Sequence, residues 1–337
     1  TNSYTPTVAL THGMHVLEVT SVDNLDNESA KSTQGHVMID IKAPTTPTMN
    51  AMPQYSKPGQ VIFSWSVSSD DLAVRYRFQY SLTGGAPWTT VYNLTVQSYT
   101  VDATGAADSA VAAGRVMAID AVDNQSAYSA PVSTTIDGTG PTVTAVSPTT
   151  PVRDNDATPT WTWSGSDDLS GVSHYIVTLD DELPTRIEYQ SGDASFTPSS
   201  NLVDGVHRLA VQGVDNVGNL GGELTFEPVT VDTTPPEVPG MPTTTSPTNN
   251  TTPTWTWPDI QGAAGDFGYY NVYADGVKVV FAPGAEPTTG SYTSAALTDG
   301  THVLEVTSVD DLGNESARST QGHVLIDTAK PSVPVIN

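Results

Sequence analysis

Aspartate is the residue whose recurrence in this sequence could do chemistry. Aspartates return about every 95 residues in an early loop, in a Val-Asp turn after a strand, and at a proline-rich seam. Ca²⁺ takes six to eight oxygen ligands, several of them carboxylates, so aspartates that converge from different loops would suit it. The candidate calcium ligands are Asp23, Asp40, Asp70, Asp71, Asp123, Asp137, Asp167, Asp168, Asp215, Asp232, Asp310 and Asp327.

The alternative for these aspartates is a set of turns without metal. Asp and Asn beside Gly, as in residues 215–219, cap turns by bonding to their own backbone. No contiguous calcium loop such as an EF-hand is present. In the third complete repeat, Pro258-Asp259-Ile260 stands where the second has Ser166-Asp167-Asp168. Calcium is therefore a hypothesis for seams at which one domain's loops meet its neighbour.

Histidines also recur, His15, His207 and His302 before one strand and His36 and His323 before another. Zinc needs three or four ligands in one place. In the expected alignment, the first complete repeat has Arg115 where the others have His207 and His302. The pattern therefore favours exposed strand histidines over a zinc site.

Catalytic motifs are absent from the sequence. It contains no serine nucleophile elbow, phosphate-binding loop or His-Glu-x-x-His. Paired carboxylates such as Asp180-Asp181 belong more simply to turns than to glycoside hydrolysis. Cysteine is absent, which excludes disulfides and thiolate chemistry. We predict a protein that is not an enzyme and has no catalytic residues.

Five aromatic residues lie outside the recurrent core pattern and offer a different chemistry, the stacking of sugar rings. They are Trp88, Tyr92, Tyr99, Tyr269 and Tyr270. The alternative is ordinary packing, because aromatic side chains favour strands and cover sheet faces without a ligand.

The elements that carry these residues are set by internal repeats. Residues 10–40 return at 297–327 with 25 of 31 positions identical, an offset of 287. A closing Asp recurs at 40, 137, 232 and 327, with spacings of 97, 95 and 95. The unit is about 95 residues, and three units make one super-repeat. We place the Val-Asp turn of each unit at Val22-Asp23, Val122-Asp123, Val214-Asp215 and Val309-Asp310.

Each unit shows the period of strands. Leu209, Val211 and Gly213 alternate with polar residues, which indicates a half-buried strand. The expected inward counterparts are Met117, Ile119 and Ala121 in one unit and Leu304, Val306 and Ser308 in another. Aromatic pairs two residues apart, such as Trp161 and Trp163, are expected in the core. Seven short strands per unit predict an all-β fold of tandem immunoglobulin-like β-sandwich domains, with an open barrel as the lesser possibility.

Proline-rich seams mark the expected domain boundaries near 45, 141 and 237. Proline fixes φ and removes a donor, so such linkers are stiffer than Gly/Ser linkers and favour an extended rod. The predicted segments are the C-terminal part of a domain at 1–44, complete domains at 45–140, 141–236 and 237–331, and the start of the next repeat at 332–337.

Charge limits the partners. The 337 residues carry 37 acidic and 12 basic side chains, a net charge of −25. Such a surface repels phosphate, so nucleic acid is not expected, and an anionic membrane surface is disfavoured. No apolar run approaches the length of a membrane span, so membrane insertion is not expected either.

Three stretches resemble the tandem bacterial immunoglobulin-like domains of very large surface adhesins, the repeats-in-toxin and biofilm-associated types. They are Asp-Thr-Thr-Pro-Pro at 232–236, Val-Asp-Asn-Val-Gly-Asn at 214–219 and Ser-Asp-Asp-Leu-Ser-Gly-Val at 166–172. Residues 270–276 also look like fibronectin type III domains. The resemblance covers essentially the whole chain. It implies secreted extender domains, often stiffened by calcium at their seams.

We therefore predict a non-catalytic extender in a large extracellular adhesin or biofilm protein on the bacterial cell surface. The alternative is a carbohydrate-binding or accessory module of a secreted polysaccharide-binding or polysaccharide-degrading protein. The expected partners are neighbouring repeats of the same chain, with other copies in a filament and carbohydrate as further possibilities. The strands within 1–44 need a cover for Leu17, Val19 and Ser21, from upstream chain or from another molecule.

Overall fold

The computed structural model of the protein describes residues 2–180, 185–188, 194–260 and 267–334. Over these residues the regular secondary structure consists of strands, and no helix occurs. The expected all-β fold class is therefore confirmed. Among the described residues there is also no helix long and apolar enough to cross a membrane.

The chain divides into two compact bodies. The first comprises Thr1–Thr142, Ser166–His174 and Gly213–Gly222, and the second comprises Val143–Gly165, Tyr175–Gln212 and Glu223–Asn337. The boundaries expected near 45, 141 and 237 stay predictions. Residues 335–337 of the expected last segment lie outside the described residues.

The described part of segment 1–44, in the first body, contains a two-stranded sheet. The antiparallel strands β1 (Gly13–Leu17) and β2 (Gly35–Ile39) pair with Gly13 opposite Ile39. Val16, Leu17 and Val19 are exposed. Over the described residues, the apolar side chains of this sheet therefore stay open to solvent.

The first complete unit, also in the first body, is a sandwich of two sheets. One sheet has the order β3-β9-β8-β5-β6, and the other pairs β4 with β7. Pairing is antiparallel except between β3 and β9, which run parallel. Seven strands paired in this way make the expected immunoglobulin-like sandwich. The strands are β3 (Tyr55–Ser56), β4 (Gln60–Ser64), β5 (Arg75–Ser81), β6 (Thr89–Leu94), β7 (Ser98–Asp102), β8 (Val111–Ile119) and β9 (Val132–Ile136).

Aromatic rings fill the core of this sandwich, because successive strand side chains point to opposite faces and alternate residues face inward. Phe63, Trp65 and Phe78 are buried, and the rings of Trp65 and Phe78 stack with centroids 5.3 Å apart. Gly114 on β8 leaves room for them, since a Cβ there would lie 2.8 Å from the Phe63 ring. A small residue thus faces large rings at Gly114.

The register expected for β8 is wrong. The inward residues are Ala112, Val116 and Ala118, and not Met117, Ile119 and Ala121. The error arises from aligning Asp123 with Asp215, whereas Asp120 makes the contacts that Asp215 makes. A shift by three residues, an odd number, moves each strand side chain to the opposite face. In the corrected register Ala112, and not Arg115, matches His207.

Over its described residues, the second complete unit supplies ten strands. Its sheets have the orders β10-β12-β15, β11-β19-β16 and β14-β13-β17-β18. Trp161 and Trp163 on β12 are fully buried, as the sequence predicts. The strands are β10 (Thr142–Ser147), β11 (Val152–Asp154), β12 (Trp161–Ser166), β13 (Val172–Leu179), β14 (Thr185–Glu188), β15 (Ala194–Phe196), β16 (Gly205–His207), β17 (Leu209–Asp215), β18 (Leu220–Thr225) and β19 (Val229–Val231).

The third complete unit, in the second body, has one sheet of order β22-β21-β24-β25 and one pairing β20 with β23. Trp255, Trp257, Tyr270 and Leu304 are buried between them. A hairpin turn joins β21 to β22 at residues 275–276, where both φ angles are positive, 48° and 80°. The strands are β20 (Thr254–Thr256), β21 (Phe267–Ala274), β22 (Val277–Lys278), β23 (Ser291–Thr293), β24 (Gly300–Asp310) and β25 (Gly322–Ile326).

Candidate metal centre

An aspartate that closes on an asparagine four residues later forms the local unit of the candidate site. Asp215 Oδ1 accepts the backbone N–H groups of Val217 and Asn219 at 2.9 and 2.7 Å. Asn219 Nδ2 donates to Asp215 Oδ2 at 2.7 Å. The same three bonds recur at Asp23, Asp120 and Asp310. The turn therefore holds one carboxylate in a fixed orientation.

The ionised form of Asp120 is favoured by this turn. Burial opposes its charge, but hydrogen bonds from the Asn124 side chain and from two backbone N–H groups outweigh burial and lower its pKa. Asp120 is fully buried. It therefore stays charged at neutral pH while withdrawn from water.

The asparagine of the turn also bonds to the closing Asp of the preceding unit. Its Nδ2 donates to the backbone oxygen of that Asp, at 3.1 Å from Asn124 to Asp40, 2.9 Å from Asn219 to Asp137 and 2.8 Å from Asn314 to Asp232. The same bond is thus made at each of the three joins between successive sequence units.

At the first join, Asp40, Asp70 and Asp120 bring carboxylate oxygens within 4.8 Å of one another. The Asp40 side chain has no exposed area. Oδ2 of Asp40 and Oδ2 of Asp70 are buried and have no hydrogen-bond partner. His12 Nδ1 lies 3.3 Å from Oδ1 of Asp40, which is not the unpartnered oxygen. This first acidic cluster therefore contains two buried acceptors aimed at no donor.

At the second join, Asp137, Asp167 and Asp215 converge in the same way, again within 4.8 Å. Asp137 and Asp215 are buried. Asp137 Oδ2 accepts the backbone N–H of Ser170 at 3.0 Å, and Asp167 Oδ2 accepts that of Gly171 at 2.8 Å. The second acidic cluster thus repeats the first, with the closing Asp of one unit meeting two loops of the next.

The third join is different because an arginine supplies the positive charge. Arg153 Nη2 lies 2.6 Å from Asp232 Oδ2, and Arg153 Nη1 contacts both carboxylate oxygens of Asp311 at 2.6 and 2.9 Å. A hydrogen bond to Asp232 is the main cause of a raised pKa for Arg153. Asp259 accepts the Tyr270 hydroxyl at 3.0 Å.

The donors of the first two joins fit a calcium ion. Each cluster offers three carboxylates from separate segments, the hard oxygen ligands that Ca²⁺ prefers. Three negative charges at this separation repel one another, more strongly where water is excluded. Among the described residues, no Lys or Arg side chain pairs with any of these six carboxylates. A divalent cation would balance that charge.

Five of the twelve candidate ligands enter the clusters, namely Asp40, Asp70, Asp137, Asp167 and Asp215. The others lie elsewhere. Asp71 contacts His12, Asp232 contacts Arg153, and Asp123 pairs with Arg75. Asp23 and Asp310 hold their own turns. Asp168 is exposed, and the exposed Asp327 accepts the N–H of Ala329.

Sequence reasoning missed Asp120, although a signal for it existed. Asp and Asn stand four apart at 215 and 219 and at 310 and 314, and Asp120 and Asn124 share that spacing. Asp123 instead takes the left-handed position of the turn, φ 74°, where Gly218 and Gly313 lie in the other units. Asp tolerates this conformation better than most residues, so it could replace glycine there.

Two of the recurrent histidines, His207 and His302, contact carboxylates. His207 Nδ1 lies 2.6 Å from Asp180 Oδ2 and its Nε2 lies 2.7 Å from the Val203 carbonyl oxygen. His302 makes the same pair of contacts with Asp275 at 2.8 Å and Thr298 at 2.9 Å. His207 is buried, so its expected exposure is wrong.

The aromatic candidates divide into two groups. Tyr270 is buried, and Tyr99 packs against the core ring of Phe78. Burial raises the pKa of the Tyr270 hydroxyl to about 12. Trp88 and Tyr92 lie outside the core, with Tyr92 62% exposed. Tyr269 is half-buried on β21.

Among curated proteins, the chain is similar to Exoglucanase B of Cellulomonas fimi, with 31% identity over 305 residues. The match covers 86% of this chain and 26% of that protein, so the chain spans about a quarter of this relative's length. No model of a known protein family matches the chain.

Among solved structures, the chain is similar to a Ca²⁺-stabilised adhesin with which an Antarctic bacterium binds ice, at 20% identity and a TM-score of 0.44, covering 93% of this chain and 81% of that one. A 1.5-MDa bacterial ice-binding adhesin is similar at 17% identity and a TM-score of 0.39, covering 85% of this chain and 98% of that one. The fibronectin(III)-like modules of Clostridium thermocellum CbhA are similar at 13% identity and a TM-score of 0.34, covering 56% of this chain and 94% of that one. These likenesses are loose.

Proposed function

We propose that this chain is a non-catalytic extender, a run of β-sandwich units that separates functional domains in a large extracellular bacterial protein. The carrying observation is the bond that recurs at every join, from a turn asparagine to the carbonyl oxygen of the preceding closing Asp. A spacer needs the same connection repeated along the chain. An active site has no such need.

Calcium is proposed as the cation of the first two joins. The support is the pair of acidic clusters, each combining three segments, and the two unpartnered buried oxygens of Asp40 and Asp70. A bound ion would stabilise the folded chain by an amount that grows with the logarithm of its concentration, about 2.7 kcal/mol at a hundred times its Kd. This coupling would make the extender respond to extracellular calcium.

Thermal unfolding in calcium and in chelator tests this proposal. We expect calcium to raise the melting temperature of the full chain and D167N to reduce that rise. Asn keeps an oxygen for the N–H groups of Leu169 and Gly171 but removes one charge of the cluster. In chelator, D167N is expected to be more stable than the wild type, because it relieves repulsion.

The adjacent variant D168N is the matched control, since Asp168 is exposed and outside the cluster. It should leave the calcium response unchanged. A wild-type melting curve that is identical in calcium and chelator would refute the metal proposal and leave the spacer proposal standing. Scattering in both conditions tests the spacer itself, because a globular particle would contradict it.

A second candidate is an accessory segment of a secreted polysaccharide-degrading protein. Its support is the 31% identity to an exoglucanase over 305 residues. The two candidates differ in whether the chain itself binds polysaccharide. Retention of the isolated chain on insoluble cellulose would favour the accessory module, and failure to bind cellulose would favour the adhesin extender.

A further inference from the structure

One outer sheet face of the first complete unit combines arginines with aromatic rings. Arg77 and Gln79 on β5 and Arg115 on β8 point away from the core, on the side opposite Phe78 and Val116. Gln79 lies opposite Arg115 and Arg77 lies opposite Met117 in the strand register. The two arginines are therefore diagonal neighbours, about 7–8 Å apart at their Cα atoms.

Aromatic rings hold both guanidinium groups. The Arg115 Cζ lies 4.5 Å from the centre of the Trp88 ring and 4.6 Å from that of Tyr128. The Arg77 Cζ lies 5.3 Å from the centre of the Tyr92 ring. These are cation–π distances. Two rings against one guanidinium cover its flat surfaces and leave its N–H edge for recognition.

These guanidinium groups have donors to spare. Arg115 Nε donates to Gln79 Oε1 at 2.9 Å, and Arg77 Nη1 reaches Gln125 Oε1 at 3.4 Å. Arg77 Nε is buried without a partner. Each guanidinium carries five N–H donors. Within the described part of the chain, neither arginine contacts a carboxylate, whereas Arg75, Arg153 and Arg318 each do.

Among the described residues both guanidinium groups stay without a carboxylate partner, although the chain carries 37 acidic side chains. Fixed guanidinium groups recognise carboxylates through paired N–H···O bonds. The exposed ring of Tyr92 beside them offers a flat surface on which a sugar ring can pack. The net charge does not prevent this contact, because salt screens charges beyond about 8 Å and leaves direct pairs intact.

We propose that the face formed by Arg77, Arg115, Trp88 and Tyr92, the arginine–aromatic face, binds a carboxylate-bearing polysaccharide. The guanidinium edges take uronate carboxylates, and the rings pack against the sugar that carries them. The site is separate from the acidic clusters, so this inference does not depend on the spacer or calcium proposals.

Binding of short oligogalacturonates to the full chain tests the proposal, with their methyl esters as the matched uncharged ligand. We expect the acid form to bind at least tenfold more tightly than the ester, and to weaken as salt rises. The double variant R77Q/R115Q should lose at least tenfold in affinity, while R208Q, which removes a charge elsewhere, should not. R115K should lose affinity in part, because it keeps the charge but not the paired donors.

Several results would overturn the proposal. These are equal binding of acid and ester, no binding of either, or unchanged binding by R77Q/R115Q with a wild-type melting curve. Should that variant unfold, Y92A serves instead, because its exposed ring contributes little to the core. Self-association of the chain that R115Q abolishes would assign the face to a second copy's acidic surface and overturn the polysaccharide proposal.

Discussion

Asn219 shows how a single side chain can connect two units. It is buried, and its amide donates to the carboxylate of its own turn and to the carbonyl of Asp137. Asn27 makes the same bonds to Asp23 but is exposed, and among the described residues its side-chain amide donates only to Asp23. Comparing Asn219 with Asn27 therefore separates the stabilisation that comes from the join from that which comes from the turn.

N219A should therefore destabilise the protein by roughly 1–3 kcal/mol, because a buried carboxylate oxygen and a buried carbonyl lose their donor. N27A should cost clearly less, since water can replace its exposed bond. Urea unfolding of both variants measures the difference. Equal losses would show that the turn, and not the join, accounts for the stabilisation.

His207 and His302 give stability a dependence on pH. Both ring nitrogens of each face acceptors, and only the charged imidazolium can donate from both. For His207, burial opposes the charge, but hydrogen bonds to Asp180 and the Val203 carbonyl outweigh it and raise the pKa. For His302, the hydrogen bond to Asp275 is the main cause of the raised pKa.

A raised pKa in the folded state gives stabilisation that is complete below the unfolded value of about 6.5 and disappears as pH rises through the folded pKa. We expect the melting temperature to fall over that range, and H207Q/H302Q to lose most of the slope. H174Q is the control, because His174 contacts only the hydroxyl of Ser173. An unchanged slope in the double variant would exclude these histidines as its cause.

At the scale of elements, β18 and the seam before β10 approach so closely that only glycine fits. A Cβ on Gly221 would lie 1.9 Å from the carbonyl oxygen of Pro141, whereas a Cβ on the adjacent Gly222 would meet nothing within 4 Å. Backbone must therefore move to admit alanine at 221.

G221A should destabilise the protein by about 1–3 kcal/mol through overpacking. G222A should be neutral or slightly stabilising, because alanine reduces the freedom of the unfolded chain. Thermal melts of the two variants provide the comparison. A neutral G221A would mean that the seam has no fixed packing on β18.

The strands were predictable where a local pattern sets them. Trp161 and Trp163 alternate with polar residues, so their burial followed from the period of two alone. The inward face of β8 was not predictable in this way, because it depends on whether Asp120 or Asp123 is aligned with Asp215. The convergence of Asp137 with Asp167 followed from the repeat. The ion pairs of Arg153 did not, since they span 79 and 158 residues.

At the scale of the whole molecule, the joins are of two kinds. Two carry acidic clusters whose carboxylates pair with no arginine or lysine among the described residues, and the third contains Arg153 between Asp232 and Asp311. Divalent cations should therefore control only the first two. A chain of net charge −25 would then respond to calcium unevenly along its length.

Limited proteolysis with mass spectrometry of the fragments tests this difference. In chelator, cleavage should increase near residues 41–45 and 138–141 but not near 233–236. R153A should expose the third seam in calcium and in chelator alike, at a cost of about 1 kcal/mol, because the ion pairs are partly open to water. R208Q serves as the control. Chelator-dependent cleavage at 233–236 in the wild type would contradict the assignment.

The parallel strand pairs have a consequence for a chain under tension. β3 with β9 pairs at two positions and β11 with β19 at three, whereas the third unit has a single parallel bridge between Thr248 and Ile326. Pulling on the two ends of such a unit slides parallel partners along each other, so their hydrogen bonds are loaded together in shear. Antiparallel partners would be peeled apart one bond at a time. Resistance to force is therefore expected to differ between units, with the third yielding first, whatever their order of melting.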